Sequence, residues 1–386
     1  MPRVTPLFVL SLAASLLMVG VGMIVSILPE RVYAASGNLQ SVSLIASVFA
    51  VSYLLAQVPV GILSDRFGVR IFLVLGYGFC GLSGVIFFTS PSADGIFLGR
   101  LIQGIGEAPI WALGPALLSR AYSQSKGRAI GLYNAAIHAG LTLGPLAGLA
   151  IGTSGDGSLP FLIFAGLCFA GGMAIFFLLP KEVRQTETGL SGKADPRALL
   201  RVMTERRHAV LFAGVLLYGA CYGIFVSVLP ISLTLLNGFG PQATGVLFFL
   251  FYCAISLSQV VAGPLSDRHG RRGFLIGGMG LATLGFGTFF FLPGLWALGP
   301  LFVSSLGLGA FCVASIAELN EAVQPGLRGT VSGGYYLFWA LGYFSGPQAI
   351  GLFGTGAQET GYGVLGVVLL GQAIAMLFFL DGRKRT

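Results

Sequence analysis

The chain has 386 residues, 55% of them hydrophobic and only 9% charged, with 59 glycines and a formal net charge of +8. Soluble domains carry about 25% charged residues, so a water-soluble fold is excluded. The basic residues sit in short loops between apolar runs, a pattern that orients membrane proteins and excludes a nucleic-acid-binding surface.

A bilayer crossing needs about 20 apolar residues. Twelve segments supply them: 7–29, 41–64, 71–90, 95–119, 127–152, 158–180, 208–236, 242–266, 273–292, 295–317, 329–353 and 361–381. Strand alternation is absent, so the expected fold class is all-α and integral to the membrane. The first segment, behind Arg3, faintly resembles a signal peptide. Its apolar run exceeds a signal-peptide core of about 7–15 residues, so a retained first span is expected. The glycine excess has no collagen-like period and suits close helix approach in lipid. The five cysteines (Cys80, Cys168, Cys221, Cys253 and Cys312) are far apart in apolar stretches. They read as buried thiols, neither disulfides nor metal ligands.

After the second segment comes Gly61–Arg70, GILSDRFGVR, and 202 residues later Gly263–Arg272, GPLSDRHGRR. The same offset relates Gln57 to Gln259. It also relates Gly127, Gly131, Gly140, Gly144 and Pro145 to Gly329, Gly333, Gly342, Gly346 and Pro347. The polar stretch 181–207 then separates two halves of six spans each, 1–180 and 208–386, with the same internal order. Such parallel repeats enclose a central cleft in alternating-access carriers. Residues near Pro196–Arg207 could form an amphipathic helix on the inner leaflet. With both termini in the cytoplasm, twenty of the 22 Lys and Arg residues fall on the inner side; Arg31 lies outside and Arg100 within a span.

These motifs resemble those of the major facilitator superfamily. Gly61, Leu63, Asp65, Arg66, Gly68 and Arg70 stand in the places of its loop signature G-x-L-x-D-R-x-G-R, with Val69 where another basic residue is common. Arg100, Gln103, Gly104 and Gly106 match R-x-x-Q-G-x-G in span four. Gly140, Gly144, Pro145 and Gly148 match the span-five motif G-x-x-x-G-P-x-x-G of proton-driven exporters. The resemblance covers the whole chain. It implies a transporter fold and a gating role for the signature loop at Asp65, Arg66 and Arg70. Asp267, Arg268 and Arg272 form a weaker second copy. An acid at a helix C-terminus faces the negative end of the helix dipole, so it needs a positive partner, and a contact made in one conformer alone biases the equilibrium.

Within span four, Arg100 is a basic residue in an apolar run and should face the bundle interior. Glu107 follows two turns later on the same face, ~10.5 Å along the axis. That is too far for a direct ion pair and near enough to share an aqueous cavity. Burial disfavours a carboxylate's charge and a cation favours it, so Glu107 so placed could load and release a proton. Asn134 and His138, four apart on span five, share a face, and a solvated His titrates near neutrality. His138 is therefore a candidate for proton coupling or a hydrogen-bonded structural residue. The span-five glycines allow close packing, and Pro145 removes a backbone bond. Tyr218, Tyr222 and Phe225 in span seven, and Tyr336, Trp339 and Tyr343 in span eleven, recur at helical spacing. They serve packing or, facing a cleft, an aromatic substrate, together with Trp111 and Asn134. Glu318 and Glu321 read as interfacial acids near Arg328.

The expected function is secondary transport by alternating access. The leading form is proton-coupled efflux of a small apolar or amphipathic compound by a monomer in a bacterial inner membrane. The partners expected are lipid, substrate and protons; no nucleic acid, metal or cofactor is called for beyond the proton gradient. Span one has no acid at its middle, only Glu30 at its outer end, which weakens a cationic-drug specialisation. Two alternatives remain: proton-coupled or facilitated uptake, and a non-transporting scaffold or sensor. An enzyme is disfavoured, since no nucleophile–base set or phosphate loop appears.

Overall fold

The computed structural model describes residues 5–90, 92–122, 126–152, 157–179, 204–323 and 328–380, without the side chains of 58, 62, 65, 126–128, 152 and 328–330. The described residues are helical nearly throughout. In chain order the helices are α1 (Pro6–Val25), α2 (Leu28–Ser36), α3 (Leu39–Phe67), α4 (Val69–Thr89), α5 (Ala93–Ala121), α6 (Lys126–Gly152) and α7 (Leu159–Leu178). There follow α8 (Arg206–Val226), α9 (Val228–Asn237), α10 (Pro241–His269), α11 (Arg271–Thr288), α12 (Leu298–Glu321), α13 (Arg328–Gly351) and α14 (Gln358–Phe379). Eleven of the described segments are long and apolar enough to cross a membrane, counting α1 and α2 as one. α13, at 24 residues, holds the remaining place among the twelve expected.

The first and seventh spans differ from expectation. Each is broken into two helices, at Ser26–Ile27 and at Ser227, and each second piece ends on a left-handed glycine, Gly37 or Gly238. The Leu-Pro pairs at 28–29 and 229–230 do not close these spans; they open the second helix. Proline has no N–H to give and its φ is already helical, so it fits the first turn.

The chain divides into two compact units. The first takes Met1–Thr188 with Gly240–Phe249, and the second takes Gly189–Phe239 with Leu250–Thr386. The divide differs from the sequence boundaries, because the first turns of α10 cluster with the first unit. Most of the polar stretch 181–207, including the amphipathic helix expected near Pro196–Arg207, lies outside the described residues; its end, from Arg206, already belongs to α8.

Within each unit the same crossings recur, and glycine makes them. In the first, α4 and α5 meet at Gly76 and Gly106, where a β-carbon on either would sit 2.6 or 2.7 Å from the other's carbonyl oxygen. In the second, Gly278 and Gly307 do the same for α11 and α12. α6 lies on α1 through Gly140, Gly144 and Gly148; α13 lies on α8 through Gly342 and Gly346. Apolar tails gain nothing from burial in lipid, so this close backbone approach supplies the packing.

The two signature turns have one geometry. α3 ends and α4 begins at Gly68, with φ +90° and ψ 141°; α10 and α11 join at Gly270, with φ +87° and ψ 147°. This region is essentially glycine's alone. Gly270→Ala is expected to cost about 1–3 kcal/mol, read as a lower thermal unfolding midpoint of the detergent-purified protein, and Gly68→Ala should cost the same.

Candidate functional site

In the first unit, α5 carries a continuous polar chain through an apolar interior. Arg100 is buried; its Nε donates to the Ile45 carbonyl oxygen at 3.1 Å, and its guanidinium lies 4.5 Å from the centre of the Phe49 ring. Arg100 Nη1 donates to Gln103 Oε1 at 2.9 Å, and Gln103 Nε2 donates to Glu107 Oε1 at 2.9 Å. Trp111 Nε1 donates to Glu107 Oε2 at 3.0 Å. Residues 100, 103, 107 and 111 repeat at the helical i, i+3, i+4 spacing, so one face of one helix holds all four.

The polarity of the chain is fixed from one end. Arginine only donates, so Gln103 must turn its oxygen to Arg100 and its amide nitrogen to Glu107. Both oxygens of Glu107 then accept, which an ionised carboxylate satisfies. A proton binding either oxygen removes the negative charge and weakens that oxygen as an acceptor for Gln103 or Trp111. A buried charge costs a few kcal/mol on insertion scales, about 2.5–3.5 for Arg at a helix centre; here it is offset by two hydrogen bonds and an aromatic face.

Arg100 and Glu107 do not touch, as their spacing implies. Gln103 bridges them, a role the sequence reading did not assign, although its spacing to each partner was visible. Trp111, read as a possible substrate aromatic, is a partner of the acid. His138 is half-buried and Asn134 exposed on α6. The span-five motif packs as expected: β-carbons at Gly140, Gly144 and Gly148 would lie 2.8, 2.5 and 2.7 Å from carbonyl oxygens of Ser15, Val19 and Met23 on α1. Pro145 does not interrupt α6.

In the second unit, Tyr222 centres an aromatic cluster, with ring centres 6.3 Å from Tyr218, 5.8 Å from Trp339, 6.2 Å from Tyr343 and 5.1 Å from Phe251. The stripes of α8 and α13 thus meet, except at Tyr336, which is half exposed and packs on Tyr335 instead. Tyr335 also reaches Ser315 Oγ at 3.3 Å and the Cys312 thiol at 3.7 Å. All five cysteines are free thiols; Cys80, Cys168 and Cys221 are buried, and Cys253 and Cys312 half-buried. Among the described residues no group of three His, Cys, Asp or Glu side chains could hold a metal ion.

The signature residues act partly within their own unit. Arg70 lies 5.3 Å from the centre of Phe176 in the last turn of α7, and Arg272 Nη2 donates to the Leu377 carbonyl oxygen in the last turn of α14 at 2.9 Å. Each pins the last helix of its own unit. Asp267 pairs with Arg271 at 2.9 Å; Arg271 also bonds Glu321. The Asp267–Arg271 spacing is i, i+4, the favourable helical one. Arg66 and Arg268 are exposed, with Arg66 over the Phe67 ring. Gly61 has open space around it. The side chain of Asp65 lies outside the described residues. Glu318 pairs with Arg207, so the acids at the end of α12 bind arginines from α8 and α11; the side chain of Arg328, expected near them, lies outside the described residues.

Comparison with known proteins extends this picture. The family model of the Major Facilitator Superfamily matches residues 10–347 and again 211–386. The tetracycline resistance protein, class C, of Escherichia coli is 25% identical over 365 residues, covering 91% of this chain and 90% of that protein. The multidrug efflux protein YfmO of Bacillus subtilis is 25% identical over 379 residues, 95% and 90% of the two. A probable 4-methylmuconolactone transporter of Cupriavidus pinatubonensis is 31% identical over 230 residues, 56% and 52% of the two. Among solved structures, the nucleoside transporter NupG superposes with a TM-score of 0.77 at 13% identity, over 98% of this chain and 100% of that one.

Proposed function

We propose, from the premise that the chain belongs to the Major Facilitator Superfamily, that it is a proton-driven exporter of a small apolar or amphipathic compound. It is a multi-pass membrane transporter, not an enzyme. The observation that carries the proton-coupled reading is the buried Arg100–Gln103–Glu107–Trp111 chain. It places one titratable carboxyl against two donors whose charge-assisted bonds weaken when a proton binds. A contact set that differs between the two protonation states is what couples protonation to conformation. The export direction draws support from relatives named for tetracycline resistance and multidrug efflux, and from the close α1–α6 packing at Gly140, Gly144 and Gly148. The aromatic cluster around Tyr222 supports a planar or amphipathic substrate. The setting is a bacterial inner membrane, with both termini in the cytoplasm and the protein a monomer.

Inverted membrane vesicles with an imposed inside-acid gradient test the reading. A chemically broad compound panel is added and a pH-sensitive dye followed. Compounds that collapse the gradient only in vesicles carrying the protein are the expected result; none doing so would overturn proton-driven export. A second reading, uptake of a small solute on the same fold, is favoured by the relative whose name specifies a lactone and no efflux. Accumulation of such a solute by cells expressing the protein would select it.

A further inference from the structure

At the end of the first unit opposite its signature turn lies a cavity of about 340 Å³, lined by residues of the broken first span, the last turns of α6 and the first turns of α10. Two adjacent charged residues, Glu30 and Arg31, face it. They differ in engagement. Arg31 Nη1 donates to the Phe87 carbonyl oxygen at 3.2 Å, and its guanidinium lies 4.6 Å from the Phe161 ring centre, so it is tied to α4 and α7. Glu30 points to α10: the Thr244 hydroxyl, 3.3 Å from the Gly240 carbonyl oxygen on its own helix, is shared with the Glu30 carboxylate. Pro241, Gln242 and Gly245 line the same cavity, so the carboxylate stands beside the positive end of α10.

The second half builds the same helix break without this pair. Leu28-Pro29 recurs as Leu229-Pro230 at the second helix break, but Glu30 and Arg31 are replaced by Ile231 and Ser232. The break is kept; the charges are not. Among the described residues no other titratable group shares the cavity lining; Asp156, next to Gly157 in the chain, lies outside the described residues. Of the elements packed on α2, α1 has no charged residue, the half of α3 nearest α2 has none, and α5 carries Asp94, exposed in its first turn, followed by Arg100 and Glu107 of the buried polar chain.

We infer that Glu30 is a second protonation site of the transport cycle, whose charged form holds the first turns of α10 and whose protonated form releases them. For its place in transport this rests on the proton-coupled reading above. The step is a simple proton gain: a carboxylate oxygen takes a proton from water in the cavity and loses its attraction for the Thr244 hydroxyl and the helix terminus. Glu30 neighbours the Ser26–Ile27 break, and α10 continues from Leu250 in the second unit. The group therefore sits beside a helix break and against the turns of α10 that cluster with the first unit.

The test reads cavity opening without transport. Ser26→Cys, a near-isosteric change in the cavity wall, is made with Cys253 and Cys312 replaced by Ser; the three remaining cysteines are buried. Labelling by N-ethylmaleimide is followed in nanodiscs from about pH 7 to about pH 4, across the range of a glutamate. The rate is divided by that of Ser36→Cys, an exposed position, to remove the thiol's own pH dependence. The ratio should rise severalfold as pH falls, stay high at all pH in Glu30→Gln, and regain its pH dependence in Glu30→Asp. A flat ratio, or one unchanged by Glu30→Gln, overturns the inference. Should Ser26→Cys fail to fold, Leu149→Cys reports on the same cavity. A Glu107→Gln background should leave the profile intact; its disappearance there would assign the response to Glu107 and overturn the role of Glu30. Neither substrate nor gradient is needed, so failure of the export reading leaves this result standing.

Discussion

Glu107→Gln is expected to reduce pH-driven exchange at least about 100-fold, the scale of losing a positioned proton-transfer group, while the protein still folds and inserts. Glutamine has nearly the shape of glutamate, so the α5 face stays filled. Its amide cannot ionise, and it always presents one donor where Glu107 presents two acceptors to Gln103 and Trp111. The variant therefore imitates the protonated state permanently. Substrate exchange down its own gradient, with equal pH on both sides, should persist, because that route needs no proton to leave. This pair of readouts separates coupling from structure: a damaged fold would lose both. Wild-type pH-driven exchange in Glu107→Gln would remove Glu107 from the coupling path. Glu107→Asp should restore part of the pH dependence, since it returns the ionisable group one methylene short of its partners.

The other large effect falls on packing. Gly144→Val should abolish accumulation of folded protein, measured as loss of the monodisperse peak of a fluorescent fusion in mild detergent. A β-carbon at 144 would lie 2.5 Å from the Val19 carbonyl oxygen and 2.7 Å from Gly22 Cα. These are backbone atoms of α1 and cannot rotate aside, so the cost exceeds the roughly 1–3 kcal/mol of ordinary overpacking. Gly346→Val should fail in the same way, with a β-carbon 2.5 Å from Ala220 Cα on α8. Gly131→Val, where nothing lies within 4 Å, should be tolerated and serves as the control. Normal yield from Gly144→Val would mean that α1 and α6 can separate without loss of the fold.

Much of this architecture was legible because its determinants are local. Twenty-residue apolar runs, the doubled GxLSDR turn and the glycines of α6 and α13 each carry their meaning within a few residues. The helix breaks at Ser26–Ile27 and Ser227 were not legible, because proline fits both after the end of one helix and in the first turn of the next, and only the backbone of the preceding residues tells which. Arg271 stands outside the repeated motif, and its pairing with Asp267 follows from the i, i+4 spacing instead. Gln103 was seen as part of a pattern, yet its bridging role depends on both amide atoms being used, which spacing alone does not reveal. The meeting of Tyr222 with Phe251, and of Tyr335 with Cys312, joins residues far apart in the chain, and nothing local announces it.

The helix breaks and glycine crossings survive in both units, whereas the charges of α5 have no counterpart in α12, which carries none before Glu318. The chain can thus be sorted into an inherited skeleton and a freed set of positions. For anyone wishing to redirect this carrier, that sorting is a map for mutagenesis. Variation at Gly76, Gly106, Gly278 and Gly307 would mostly yield unfolded clones. A library spread over Tyr222, Trp339 and Tyr343 would sample new cargo on a scaffold that duplication has already shown to tolerate different side chains.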